Sequence, residues 1–437
     1  MDRRNFLRNS GVALGATLTS SSALKAVKHP KVEARLSGAS GKWADVRSQF
    51  VLDHSQIQMA QMLLASHPKR VREAIEMRRK AFDENPATYW EEHHLTADTR
   101  IRKAAARYLE CDFTEVALTD STTMGMSTLL NGFKLKPGDE VLHTTHDHYI
   151  TDMSIAYACK KRGATYREIA EYADPATASV DEIVTNIRNA IRPQTRVVVV
   201  TWVQSCTGVK NPIQAISYAI EDMNMERPAD KRIYFCVDGV HGFGNQADAV
   251  STLGCDFFAA GTHKWIYGPR GTGIIYARKS AWDFVEPTIP AFARYPFVNW
   301  MEEDNDLEWT FGEVCTPGGF HAFEHRWSLD EAFEFQMDLG RYEVHARTTE
   351  LNNMLKDGIS EMDHVTLYTP RDPHLSAGIN CFMVDGYTET EAVEHFHKKG
   401  IIASSSPYRV SYARLTPCII NTEEEVTKSL EVLEKMA

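Results

Sequence analysis

A chain of 437 residues is long enough for a large core and for two domains, and its 43% hydrophobic and 24% charged content is that of an ordinary globular protein. A net charge of -11 without a long basic run excludes the clustered Lys and Arg that nucleic-acid binding needs. The eight cysteines are scattered and form no C-x-x-C, which excludes the usual structural zinc pattern and reads as buried free thiols.

The first 26 residues run from a charged start with Arg3-Arg4, through a weakly apolar Gly/Ala stretch, to small residues. That order predicts a twin-arginine signal peptide, hence the twin-arginine translocase as a partner during export and the periplasm as destination. The apolar stretch is too short and too interrupted for a transmembrane helix. Residues 27–75 are expected to be linker and N-terminal segment, with the linker running to about 50.

"PKRVREAIEMRRKAFDE", residues 68–84, has helical spacing. From about 100 to 280, β-rich runs ("EVALT", "EVLHTT", "TYREIA", "TRVVVVTWV", "RIYFCVD", "CDFFAAG", "TGIIYAR") alternate with helical stretches such as "SVDEIVTNIRNAIR" and "NPIQAISYAIEDMN". The alternation predicts an α/β fold, a mainly parallel sheet covered by helices on both faces. "TRVVVVTWV" is apolar without alternation, as a central strand must be. A large domain is expected at 76–325. A smaller α+β domain follows at 326–437, with one long helix over 328–359, a strand "GINCFMVDG", a helix, a strand "YRVSYA" and a final helix.

"HTTHDHYIT", residues 143–151, sets His143, His146 and His148 beside Asp147 and suggests a metal site. No convincing further ligand follows downstream, so no metal is assigned. The stretch 234–278 is more informative. One apolar strand ends in Asp238, with His241 three residues on, and a second ends in Gly261-Thr262-His263-Lys264. Polar residues at the carboxyl ends of parallel strands mark the ligand crevice of such sheets. Lys264 alone could be a solvated lysine and Asp238 alone a turn residue; the pair suits pyridoxal phosphate. A lysine whose pKa is lowered by burial offers the amine, and a carboxylate keeps the ring nitrogen protonated. "ALTDSTTMGMSTLLNGF", residues 117–133, reads as strand, hydroxyl-rich turn and helix, a phosphate cradle at Thr122 and Thr123 with Thr262 and His263 adding donors.

With these residues the sequence resembles the class V aminotransferase family of fold-type-I pyridoxal-phosphate enzymes. That family includes cysteine desulfurases, kynureninases, phosphoserine aminotransferases and isopenicillin N epimerases. The resemblance rests on His263-Lys264, on the D-x-x-H of Asp238 and His241, and on Thr122-Thr123, "WVQSCTGV", "CTPGG" and "YRVSYARLTPCIINTEEEV". It implies a homodimer, Ser205 near the cofactor's phenolic oxygen, Thr316 reaching a phosphate across the dimer, Arg409 clamping a substrate carboxylate, and the His148 ring stacked on the cofactor. The loop 400–411 holds serines and no cysteine, from which the chain is expected not to be a cysteine desulfurase. "THKW", "NPATYW" and the twin-arginine start lean toward the isopenicillin N epimerase-like branch and its exported members, one of which tailors the siderophore pyoverdine in the periplasm. The resemblance therefore implies chemistry at the α-carbon of an amino acid or peptide. Lys264 is the base, Asp238 the ring-nitrogen partner, and epimerisation or tailoring the lead outcome. Transamination is the alternative; a non-catalytic pyridoxal-phosphate binder and a metallohydrolase are further ones.

Overall fold

A computed structural model describes residues 39–302 and 309–437. The expected signal peptide, residues 1–26, lies outside the described residues. Residues Trp43–Ala437 form one compact unit. No helix among the described residues is long and apolar enough to cross a membrane.

The chain opens with α1 (Ala39–Ser48), the short β1 (Ile57–Gln58), α2 (Lys69–Glu84) and α3 (Pro86–Leu109). Strands β2 (Val116–Thr119), β3 (Glu140–Thr144), β4 (Thr165–Ile169), β5 (Thr195–Thr201), β6 (Tyr234–Asp238), β7 (Phe257–Gly261) and β8 (Gly273–Ala277) build one sheet, in the order β2-β8-β7-β6-β5-β3-β4. Strands β3 to β7 pair in parallel; β8 runs antiparallel to both β7 and β2. Helices α4 (Thr122–Gly132), α5 (Tyr149–Arg162), α6 (Val180–Ala190) and α7 (Ile213–Met225) supply crossovers. All seven residues of β5 are buried. Val198 and Val200 enter one apolar cluster and Val197 and Val199 the other, so the period of two delivers apolar side chains to both covered faces.

Beyond β8 come α8 (Arg294–Glu302), the one-turn α9 (Phe311–Val314) and α10 (Phe323–Arg326), then α11 (Leu329–Leu339) and α12 (Arg341–Ser360). The single helix expected over 328–359 is thus two. Gly340 separates them at φ +86, a left-handed conformation that a helix interior cannot hold. Strands β9 (Val365–Leu367) and β10 (Asn380–Val384), helix α13 (Glu389–Lys398), strands β11 (Ile401–Ile402), β12 (Ser404–Ser405) and β13 (Ala413–Leu415), and helix α14 (Glu423–Glu434) complete the chain. A second sheet, antiparallel, has the order β12-β13-β10-β9, and β11 pairs in parallel with β1.

Two expectations move. The linker expected to about 50 is helical from Ala39, and Val46 and Phe50 are buried, Phe50 edge-on to Tyr267 at 5.2 Å. Two apolar anchors outweigh the polar composition between them. The strand expected at "YRVSYA" lies further on, at Ala413–Leu415, where Ala413 and Leu415 are buried and Pro407 no longer interferes.

Candidate active site

Asp238 is the last residue of β6, opposite Thr201 of β5 and Ala259 of β7, so it faces the crevice at the carboxyl ends of the strands. It is buried, and its Oδ1 accepts the Val240 N–H at 3.2 Å. Burial pushes its carboxyl up to about 6 despite that bond and the nearby Lys264. Lys264 follows β7 by three residues. It lies deep among protein atoms yet keeps some surface open, as a group on a cleft floor does. Its Nζ is 3.2 Å from His241 Nε2, and Trp265 Nε1–H donates to His241 Nδ1 at 3.3 Å. Burial brings the lysine down to about 8, Asp238 opposing and Arg414 assisting. Burial and Lys264 hold His241 well below its ordinary value.

The start of α4 faces the turn after β7. Ser121 caps the helix through the Met124 N–H at 3.2 Å, and Thr122 Oγ1 accepts the Gly261 N–H at 2.8 Å. A Cβ at Gly261 would fall 2.8 Å from the His263 ring and 3.1 Å from Thr122 Oγ1, so the glycine gives this cradle room. Thr123 is exposed in the first turn, and His263, held down to about 4 chiefly by burial, is half-buried. Thr262 turns inward instead. It is 0% exposed and 2.6 Å from Thr272 Oγ1, and because Thr272 donates to the Pro269 carbonyl, Thr262 spends its proton on Thr272. Its expected role as a phosphate donor is therefore withdrawn. Thr316 is likewise occupied within its own chain, donating to the Gly312 carbonyl at 2.6 Å and accepting the Leu118 N–H at 2.9 Å.

The three histidines at 143–148 separate. His143 is buried in β3, with Nδ1 3.3 Å from Asp152 Oδ1 and 3.9 Å from Asp147 Oδ2. His146 stacks on Tyr172 at 5.1 Å. His148 caps α5, its Nδ1 accepting the Ile150 N–H at 3.5 Å, and burial with the Lys264 charge lowers its pKa. Asp147 ties this turn to the end of β5, accepting the Thr201 N–H at 2.9 Å and the Thr201 hydroxyl at 2.7 Å. Among the described residues, no group of three His, Cys, Asp or Glu side chains is placed to hold a metal ion.

Arg409 is exposed in the loop before β13, and no hydrogen bond or ion pair among the described residues holds it at the crevice. The arginine that arrives there is Arg414, 1% exposed at the centre of β13. Its Nη1 donates to the Ser205 carbonyl at 2.8 Å, Nη2 to the Ser405 carbonyl at 2.5 Å and Nε to Ser404 Oγ at 3.2 Å. Two of its five N–H groups remain for a ligand, and it forms no ion pair among the described residues. The signal was the apolar pair Ala413 and Leu415 around a charge, which in a strand sends the arginine to the opposite face. Tyr408, also unanticipated, places its hydroxyl 2.8 Å from Ser205 Oγ.

This donor set fits pyridoxal phosphate. The Lys264 amine suits the aldehyde, the Asp238 carboxylate the ring nitrogen, and the open start of α4 with Thr122, Thr123 and His263 the phosphate.

The aminotransferase class-V pattern matches residues 65–428. The probable cysteine desulfurase of Halalkalibacterium halodurans is 24% identical over 349 residues, 76% of this chain and 80% of that protein. The isopenicillin N epimerase of Streptomyces clavuligerus is 22% identical over 410 residues, 90% of this chain and 98% of that protein. Among solved structures, a C-DES variant with glycine covalently linked to its pyridoxal-phosphate cofactor superposes with TM-score 0.79 at 21% identity, covering 89% of this chain and 98% of that one. The expectation that the chain is not a cysteine desulfurase is overturned here, because cysteine desulfurases recur among its relatives. That exclusion rested on one loop, 400–411, and loops vary far more than the scaffold carrying Lys264 and Asp238. With its sheet, its lysine and its buried aspartate, the chain belongs to the class-V aminotransferase family, whose cofactor is pyridoxal phosphate.

Proposed function

We propose that the protein removes the α-proton of an amino acid or peptide held by Arg414, and that epimerisation or related tailoring follows. The observation that carries this reading is the amine of Lys264, 3.2 Å from His241 and beside buried Asp238. Pyridoxal phosphate, once bound, supplies a sink for the electron pair left at the α-carbon. The chain's own groups do the rest. Arg414 orients the carboxylate, Lys264 Nζ takes the proton from one face, Asp238 keeps the ring nitrogen protonated, and inversion requires a proton delivered to the opposite face. The match along 98% of the isopenicillin N epimerase supports epimerisation over transamination. A second reading, release of sulfur from a cysteine-type substrate, is supported by the desulfurase relatives; it begins with the same proton removal.

Incubation of the loaded enzyme in D2O with a panel of amino acids and peptides tests both readings. Deuterium at the α-carbon with inverted product is expected; exchange accompanied by sulfide or persulfide selects the second reading, and no exchange with any substrate refutes both. We further propose a homodimer exported to the periplasm. The twin-arginine start supports the export, and fractionation of the tagged full chain tests it.

A further inference from the structure

The loop from β12 to β13 is pinned from within. The Ser406 N–H donates to the Tyr412 carbonyl at 2.9 Å, the Tyr412 N–H to Ser406 Oγ at 2.9 Å, and the Tyr408 N–H to the Ser406 carbonyl at 3.0 Å. Tyr408 is therefore held rather than draped. Its hydroxyl lies 2.8 Å from Ser205 Oγ, and its ring meets His148 edge-on, centroids 5.8 Å apart and planes at 84°.

Ser205 is thus gripped twice by one hairpin. Arg414 of β13 takes its carbonyl at 2.8 Å, and Tyr408 of the preceding loop takes its hydroxyl. The charged and titratable groups around the phenol are Arg414, Asp238, Cys206 and His148. Burial raises the phenol's pKa, so it stays protonated and able to donate. A phenol is the stronger acid of the pair, and a serine hydroxyl carries one proton and two lone pairs. If Tyr408 donates to Ser205, the serine's own proton is left free to point into the crevice.

We propose that Tyr408 is a positioning residue that fixes the Ser205 hydroxyl as a donor to the phenolic oxygen of bound pyridoxal phosphate. The proposal rests on the Lys264 reading above and deepens it. The same residue backs the His148 ring and leaves the loop 400–411 with a definite task. A donor to an oxyanion stabilises its deprotonated form, so losing the donor makes that oxygen more basic and the proton it shares harder to remove.

The test is the pH titration of the visible absorbance of holoenzyme, with no substrate present. Tyr408→Phe keeps the ring and removes the hydroxyl; Ser205→Ala removes the receiver. Each is expected to raise the midpoint by roughly 0.5–1 pH unit, and the double variant by no more than either alone. Arg409→Ala, in the same loop but exposed, is the control and leaves the midpoint in place. A Tyr408→Phe midpoint at the wild-type value while Ser205→Ala moves overturns the proposal and leaves the Lys264 reading intact. Ser205→Ala without effect overturns it as well, because Ser205 then does not face the chromophore. A cofactor band that Lys264→Ala fails to remove sinks the underlying reading, and the proposal with it.

Discussion

Lys264 Nζ stands 3.2 Å from one nitrogen of His241, while the Trp265 indole N–H occupies the other at 3.3 Å. A neutral imidazole has one N–H. With Nδ1 accepting from Trp265, the proton resides on Nε2 and points at the lysine. An ammonium cannot accept it; an amine can. The arrangement therefore favours neutral Lys264, in line with burial bringing this lysine down to about 8.

Loading of apoenzyme with pyridoxal phosphate should therefore accelerate as pH rises through about 8 and then level off, since the neutral amine is the nucleophile. An ordinary lysine would still be accelerating near pH ~10. Stopped-flow absorbance measures the profile. Lys264→Ala should lose covalent retention of cofactor after borohydride reduction and about 10²–10⁴-fold of α-proton exchange.

Asp238 makes the opposite demand on stability. Its carboxyl is pushed up to about 6 by burial, so the folded apoprotein binds this proton more tightly than the unfolded chain does. Its contribution to stability is most favourable below the ordinary carboxylate range. That contribution is lost as pH rises through about 6. Asp238→Asn removes the buried charge, and the apo variant at pH ~8 should melt a few degrees above wild-type apoprotein. The same variant should bind cofactor more weakly, because the ring nitrogen loses its anion. Calorimetry with and without pyridoxal phosphate reads both effects; an apo variant less stable than wild type at high pH would refute the argument.

Much of the architecture was legible because it is written in local periodicity. The seven strands of the main sheet appear in the sequence as β-rich runs of the right length, and β5 as a run apolar on both faces. Asp238, His241 and Lys264 were legible because each lies within a few residues of a strand end, so sequence distance stands for spatial distance there. The misses share a different cause. Arg409 and Arg414 are five residues apart, and which one reaches the crevice depends on where a three-residue strand begins after Pro407. Thr262 was one residue from the site and faces away from it, because Thr272, ten residues on, captures its hydroxyl. Tyr408 approaches from a different sheet, and no local pattern reports a partner about 200 residues away at Ser205.

The arginine correction is directly testable. Arg414→Lys keeps the charge but not the planar fork, and should raise KM for a carboxylate substrate roughly 10–100-fold. Arg409→Ala should leave KM within about twofold, as an exposed side chain outside the crevice. Steady-state kinetics on any substrate that shows α-proton exchange separates the two. A large effect at Arg409 with none at Arg414 would return the carboxylate clamp to the loop.

The segment that looked like a linker carries the last prediction. Arg47 of α1 donates through Nη1 to Glu425 at 2.8 Å and to the Ile420 carbonyl at 2.6 Å, and through Nη2 to Glu425 at 2.5 Å. Glu425, lowered by these bonds despite its burial, also receives Asn421 Nδ2 at 2.9 Å and closes the capping box of α14 with Thr422. The pair thus joins the first described helix to the last, and it does so at the side of α14 that caps the core rather than in open solvent. Arg47→Ala would leave the buried Glu425 carboxylate with only its Asn421 and Thr422 donors and the Ile420 carbonyl without the guanidinium, a loss of about 1–3 kcal/mol. The expected readouts are a melting temperature lowered by a few degrees and faster proteolysis near residue 50, with α-proton exchange at low temperature unchanged. Removal of residues 1–50 with no loss of stability would show that α1 is the linker its composition suggested.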